Sequence, residues 1–345
     1  MKLKKQQIMI LAVVLVLVVS VVSVALLLNT ENGGVPNENG EVPNGNGDVV
    51  ESGEWIDLSD NIGMVASDGG NGVSDYANVF FINENEGWVV SSSAAEIYHT
   101  TDGGESWELQ TVQFTCGAIC MLNENEGYAG GLSGFIFKTT DGGTNWNLIG
   151  AASNVVTDLD FPSATQGYAC TNRGAVFSII DEEITNLDSG SASDLAGIAA
   201  PSIDHVWICG SGTIKFYNGS AWEWQAGPAG SYNAIFFLND NEGWVVGNSG
   251  LIGHTSDGGT NWHQQNHSNS PISNAFYDVF FIDSKQGWAV GAIGTIAQTT
   301  DGGETWTAHR TQDTTSFFRS VYFPSLNIGY VCGNNGALLK YVAEN

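Results

Sequence analysis

The 345-residue chain carries 37 acidic and 10 basic side chains, a formal net charge of −27 at pH 7. Phosphate binding relies on clustered Lys and Arg, so nucleic acid and anionic lipid surfaces are excluded as partners of the body of the chain. With 42% hydrophobic residues, 44 Gly and 11 Trp, the chain is too apolar and too aromatic to be disordered, and a packed core is expected.

The first element is an uncharged run, Ile8 to Leu28, long enough as a helix to cross a hydrocarbon core of about 30 Å once. Lys2, Lys4 and Lys5 precede it and no further Lys or Arg occurs until Lys138, which places the basic flank in the cytoplasm and the remainder outside. Ser23-Val24-Ala25 has the small residues of a signal-peptidase site, which would make the protein secreted. The apolar run continues through Leu28, however, and residues 1–28 read as a signal anchor. Residues 29–54, rich in Asn, Gly and Glu with two Val-Pro steps, read as a flexible tether, because so little apolar surface cannot offset the entropy of ordering. The folded body is then 55–345.

Within the body a Gly-aromatic pair recurs at Gly87-Trp88, Gly127-Tyr128, Gly167-Tyr168, Gly243-Trp244, Gly287-Trp288 and Gly329-Tyr330, with Val206-Trp207 in the remaining slot. The aromatic-to-aromatic spacings of 40, 40, 39, 37, 44 and 42 residues suit the four-stranded blade of a β-propeller. In one unit, 278–282, 287–291, 295–300 and 306–310 read as four short strands, each β-branched or aromatic and bounded by Gly, Asn or Asp turns. The seventh unit ends after three strands, and Trp55-Ile56-Asp57-Leu58 supplies the missing one. The expected fold is all-β, a seven-bladed propeller of four-stranded antiparallel blades in which the N-terminal strand closes the last blade, preceded by one transmembrane helix.

Four units share TTDGGESW (100–107), TTDGGTNW (139–146), TSDGGTNW (255–262) and TTDGGETW (299–306), the Asp-box or bacterial neuraminidase repeat. Its residues are Asp102, Gly104, Trp107, Asp141, Gly143, Trp146, Asp257, Gly259, Trp262, Asp301, Gly303 and Trp306. The roles expected of them are structural: Asp accepts backbone N–H groups in a tight turn, Gly takes positive φ, and Trp packs between blades. Four copies of one aspartate spread around a ring do not make a catalytic centre. The combination of an apolar first strand, NENEGW or DSKQGW, V-x-G-x-x-G-x-I and TTDGGxxW resembles the photosystem II assembly and stability factor family over 55–345. That resemblance implies a seven-bladed propeller serving as a protein-binding chaperone or scaffold. The Asp-box alone is also similar to sialidases, xyloglucanases and sortilin-type receptors, so a glycan-binding or glycoside-hydrolysing propeller is the alternative. Sialidase chemistry needs three converging Arg, and the body contains Arg173, Arg310 and Arg319.

Other constellations are weaker. Cys116-x3-Cys120 and His263-x3-His267 have zinc's preferred donors, but on extended segments i and i+4 lie about 13 Å apart. Cys170, Cys209 and Cys332 share one strand-two position and read as core residues. The NENEG and NDNEG turns lack the spaced ligands of a calcium loop, no enzyme motif is present, and no cofactor or metal is implied. A propeller binds on the face that gathers the connections from strand two to three and from strand four to the next blade. The long connections of that kind, Gln264–Tyr277 and Ala308–Ser320, hold His267, Arg310, Phe317, Phe318 and Arg319, the candidate binding face. The reading is therefore a membrane-tethered, extracytoplasmic scaffold for a protein or peptide partner, performing no chemistry.

Overall fold

The computed structural model describes residues 53–62, 74–265, 273–311 and 315–344. The expected membrane helix over 1–28 and nearly all of the tether lie outside them, as does His267. Among the described residues no helix is long and apolar enough to cross a membrane, and only two single-turn 3₁₀ segments interrupt the strands.

Seven four-stranded antiparallel sheets follow one another along the chain. Blade 1 is Tyr76–Phe81, Gly87–Ser91, Glu96–Thr100 and Glu108–Thr111, and blades 2 to 6 repeat that order. Blade 7 contains Phe318–Tyr322, Ile328–Gly333 and Leu338–Ala343, completed by Gly53–Asp57 as its outer strand. The seam pairs Gly53 with Ala343, Trp55 with Tyr341 and Asp57 with Leu339, and Leu58 N donates to Leu338 O at 2.8 Å. Expected boundaries shift slightly. The strand that closes blade 7 is Gly53–Asp57 rather than 55–58, and Trp107, Trp146, Trp262 and Trp306 precede the outer strands instead of starting them. Each first strand touches the first strand of the next blade, and the seventh touches the first, so the first strands form a closed ring around a central channel.

What joins the blades is aromatic. The strand-two aromatic of one blade lies flat on a Phe of the next at Tyr128–Phe161, Trp207–Phe237, Trp244–Phe281, Trp288–Phe323 and Tyr330–Phe81, with ring centroids 4.0, 3.7, 3.5, 3.5 and 3.6 Å apart. A buried aromatic ring withdraws 150–250 Å² from water, on the order of 4–6 kcal/mol gross at about 25 cal/mol per Å². A net hydrogen bond is worth roughly 1 kcal/mol. Stacking therefore supplies the adhesion and hydrogen bonds supply its register.

Those hydrogen bonds converge on the Asp-Gly-Gly turns. The carbonyl of the first Gly accepts the strand-two aromatic of the preceding blade: Tyr330 Oη to Gly103, Trp88 Nε1 to Gly142, Trp207 Nε1 to Gly258 and Trp244 Nε1 to Gly302, at 3.0 to 3.3 Å. A glutamine from that same preceding blade, Gln110, Gln225 or Gln265, adds a second donor at 2.8 Å to Gly142, Gly258 and Gly302. Its Oε1 in turn accepts Trp146, Trp262 or Trp306 Nε1. The second Gly of the turn adopts positive φ, 93° at Gly143, and a Cβ there would collide with Gln110. At the closing seam Leu58 stands in the glutamine's place and Lys340 Nζ donates to Gly103 O at 2.9 Å instead. Trp107 Nε1 is left buried without a partner, as is Trp288 Nε1, which faces blade 7 and finds no Asp-Gly-Gly turn there.

Replacing Gln225→Leu strands both the Trp262 indole N–H and one donor of the Gly258 carbonyl, and should cost about 1–3 kcal/mol in urea denaturation of the full-length protein. Leu58→Gln should move the midpoint the other way by giving Trp107 an acceptor. A neutral Gln225→Leu would show that the glutamine does not hold the blades.

Candidate functional site

Every first strand carries a register irregularity immediately after its first paired residue, the same place in all seven blades. The skipped residues are Ala77, Gly117, Thr157, Ala196, Asn233, Tyr277 and Arg319, and all of them line a cavity of about 500 Å³ at one end of the channel. A bulge re-aims its residue out of the ladder, and seven in register build a cup. One side of the cup is made of small residues from blades 1 to 4. The other carries Arg319, whose guanidinium lies 4.6 Å from the Tyr277 ring centroid and 5.9 Å from that of Phe317, with Tyr277 and Phe317 edge to face.

The channel-facing edges of the first strands have no neighbouring strand, so their N–H groups need side-chain acceptors. Asp158 Oδ2 accepts Ile198 N, Asp160 Oδ2 accepts Ala200 N and Asp278 Oδ2 accepts Val321 N, each reaching into the next blade at 2.7 to 2.9 Å. Between blades 7 and 1 the Ser320 hydroxyl accepts Val79 N at 3.3 Å. Burial outweighs these hydrogen bonds and raises the carboxyls, Asp158 to about 8 and Asp278 to about 6. Burial thus favours the protonated form of Asp158 near neutral pH more than that of Asp278.

The two faces of the disc differ in charge. The loops between strands one and two carry Glu84, Glu86, Glu124, Glu126, Asp204, Asp240, Glu242 and Asp283, with Lys285 as their one base. On the same face the turns between strands three and four add Asp102, Glu105, Asp141, Asp181, Glu182, Asp257, Asp301 and Glu304. On the cup face the seven loops between strands two and three hold a single charged residue, Arg173, and the described connections from strand four to the next blade add Asp60, Asp75, Asp188 and Asp194. That face instead exposes Phe114, Leu132 and Ile293, each more than 40% accessible. Gly53 pairs with Ala343 at the end of a third strand, so the outer strand of blade 7 begins on the acidic side.

The aspartates of the shared turns behave as structural groups. In blade 1 Asp102 Oδ1 accepts Ser106 N at 2.9 Å and the Thr100 hydroxyl at 2.8 Å, while Thr100 Oγ1 accepts Gly104 N at 2.9 Å. Blades 2, 5 and 6 repeat the pattern through Asp141, Asp257 and Asp301. The Ser106 hydroxyl above all holds Asp102 down at about 2, and Asn145 and Asn261 lower Asp141 and Asp257. At Asp301 burial pushes upward, yet the hydrogen bonds from Thr305 and Thr299 together prevail. A carboxylate kept ionised by four or so donors is a poor general acid.

Of the candidate face, Arg319 is exposed and stands at the cup, and Phe317 is half-buried beside it. Phe318 is corrected to a core residue: it is 0% accessible, packed with Val290, Ile296 and Val321. Arg310 pairs through its backbone with Thr295 at the end of Thr307–Arg310. Arg319 lines the cup whereas Arg173, in the loop between strands two and three of blade 3, is not among its lining residues. Cys116, Cys120, Cys170, Cys209 and Cys332 are all buried, and burial raises every thiol. Among the described residues no group of His, Cys, Asp and Glu could hold a metal ion. Of the seven bulge residues only Arg319 is singled out by the sequence, and their common position is not.

The sequence profile described as "Photosynthesis system II assembly factor YCF48" matches residues 73–189 and 263–342. Among solved structures, "YCF48 bound to D1 peptide" is 22% identical with a TM-score of 0.67, covering 85% of this chain and 95% of that one. YCF48 from Cyanidioschyzon merolae is 19% identical with a TM-score of 0.65, covering 84% and 99%. The WD40 propeller domain of Doa1 is 13% identical with a TM-score of 0.68, covering 80% and 95%. No curated protein matches the chain.

Because the folded protein holds the Asp158 proton to about 8 whereas an unfolded aspartate releases it near 3.9, this group favours folding fully below about pH 4 and progressively less as pH rises to 8. Asp158→Asn should therefore remove the part of the decline in urea midpoint that lies between about pH 6 and 8. An unchanged decline would place its origin elsewhere.

Proposed function

The chain belongs to the photosynthesis system II assembly factor YCF48 family, and from that membership and the geometry of the channel mouth we propose a protein-binding propeller that performs no chemistry and receives an extended peptide segment across its seven bulge residues. The observation that carries this reading is the polarised cup. Ala77, Gly117 and Ala196 leave room for a chain, and Arg319 on Tyr277 offers the arginine-aromatic pair over-represented where binding energy concentrates. A rim with exposed Phe114, Leu132 and Ile293 and few carboxylates can lose its water more cheaply than the opposite face, which would have to desolvate or neutralise a dense array of them. The solved YCF48 with a D1 peptide supports a peptide as the class of partner.

The same proposal includes location. Ile8 to Leu28 would anchor the chain with its basic end in the cytoplasm and the propeller outside.

Both parts can be read in one experiment, because the native thiols are buried and an introduced surface cysteine is the reactive one. Ser92→Cys at the cup and Glu124→Cys on the acidic face are labelled on intact cells with a membrane-impermeant, photoactivatable thiol reagent. Both sites should label. Only the Ser92→Cys protein should cross-link to a partner, and Arg319→Glu should abolish that adduct. Failure of either site to label would contradict the exported location. Cross-links from Glu124→Cys, or adducts indifferent to Arg319→Glu, would contradict the cup.

A further inference from the structure

A second cavity, of about 520 Å³, lies between blades 4 and 5 on the acidic face, away from the cup. Its position follows from a mismatch in the repeats. In blade 4 the four-residue link Asn218–Ala221 stands where blade 5 carries an Asp-Gly-Gly turn, so a blade without that turn meets one that has it, and no seam strand fills the junction. In blades 1 and 5 the residue paired with the strand-two Trp is a histidine, His99 bonded to Glu86 at 3.2 Å or His254 with Glu242 3.5 Å away. In blade 4 the arrangement is exchanged. Phe216 pairs with Trp207 and stacks on it at 4.7 Å, and His205 takes the place of the glutamate.

The cavity is thereby walled by the half-buried Phe216 and by His205, 5.5 Å apart between ring centroids, and by three carboxylates, Glu223, Asp240 and Asp257. No lysine or arginine lines it. Each carboxylate is fixed in place: Asn218 Nδ2 donates to Glu223 at 2.8 Å, the Ser202 hydroxyl to Asp240 at 2.7 Å, and Asn261 N to Asp257 at 2.8 Å. A ligand would meet oriented charges and would not have to order them. The volume is that of a small-molecule pocket. An aromatic wall joined to carboxylates that no lysine or arginine neutralises, with the His205 ring 3.7 Å from Asp240, is the recognition chemistry of an organic ammonium ion, whose charge interacts with the ring face while its carbons remain in apolar contact.

We propose that the cavity between blades 4 and 5 binds a small free organic ammonium ion, a protonated amine or a quaternary ammonium, independently of the partner at the cup. A neutral sugar could also lie on an aromatic wall, but it would leave three carboxylates without counter-charge. The test is calorimetric titration of the full-length protein with choline, 1,4-diaminobutane, Nα-acetyl-lysine amide and lactose. Choline or 1,4-diaminobutane should bind saturably and more weakly as NaCl is raised. Asp240→Asn and Glu223→Gln should each weaken binding, with a loss of roughly tenfold in the pair. Glu223 is exposed, so Glu223→Gln keeps the test readable if Asp240→Asn lowers the melting temperature. Binding of lactose but not of the amines, binding of the lysine amide alone, no binding at all, or amine binding indifferent to both substitutions would each overturn the proposal.

Discussion

The structure depends on one contact repeated around a ring: an aromatic side chain in the second strand of a blade lying on the next blade. Its energy is mostly area, since a flat ring buried between two sheets withdraws far more surface from water than any single hydrogen bond repays. Its direction comes from the donor at the ring's tip, which finds a turn carbonyl where the next blade offers one. Where the usual donor set is absent, another is substituted. Tyr330 and Lys340 converge on Gly103 at the seam, and Tyr168 Oη donates to Ile203 O between blades 3 and 4. Such contacts add up to a circle only if the last blade is complete, which is why a segment at the start of the body must pair with the end of the chain.

Closure in turn creates the site. Seven first strands held side by side present seven free edges to a channel, and the side chains that satisfy those edges are buried carboxyls and a serine from adjacent blades. The bulge above each stitch is free to vary because it belongs to no ladder. The sequence has used that freedom unevenly, with small residues on one side and an arginine on an aromatic ring on the other. Charge is segregated with equal clarity, carboxylates crowding the face opposite the cup. A scaffold that must present one surface to a partner and keep the other hydrated would be arranged in this way.

The repeat, the strand content and the strand exchange were legible in the amino-acid order, since Gly-Trp and Gly-Tyr recur at blade spacing and Trp55 echoes the residues before the other outer strands. The cup was not. Ala77, Gly117, Thr157, Ala196, Asn233, Tyr277 and Arg319 share no chemistry, and their common position is a property of pairing between strands. Adjacent aromatics in a long connection, such as Phe317 and Phe318, read equally as an available surface or as the start of a buried strand, and Phe318 is the latter. It belongs with Tyr76, Cys116, Val156, Leu195, Tyr232 and Phe276, the buried residue before each bulge, and lining up the seven units would have shown that column. The glutamine latch also left a signal. Trp-x-x-Gln at Trp107, Trp222 and Trp262 occurs in the units followed by an Asp-Gly-Gly turn, and the one further such unit, at the seam, has Leu58.

All of this rests on the opening strand being a full member of the seventh blade. Hydrogen–deuterium exchange of the full-length protein, read at the amides of Gly53–Asp57 against those of the outer strand Glu108–Thr111, measures that directly. Comparable protection in the two strands is the result a closed ring requires. Exchange at Gly53–Asp57 as fast as in an unpaired segment would mean an open ring, and the shared geometry of the blades, the bulges and the cup would lose its basis.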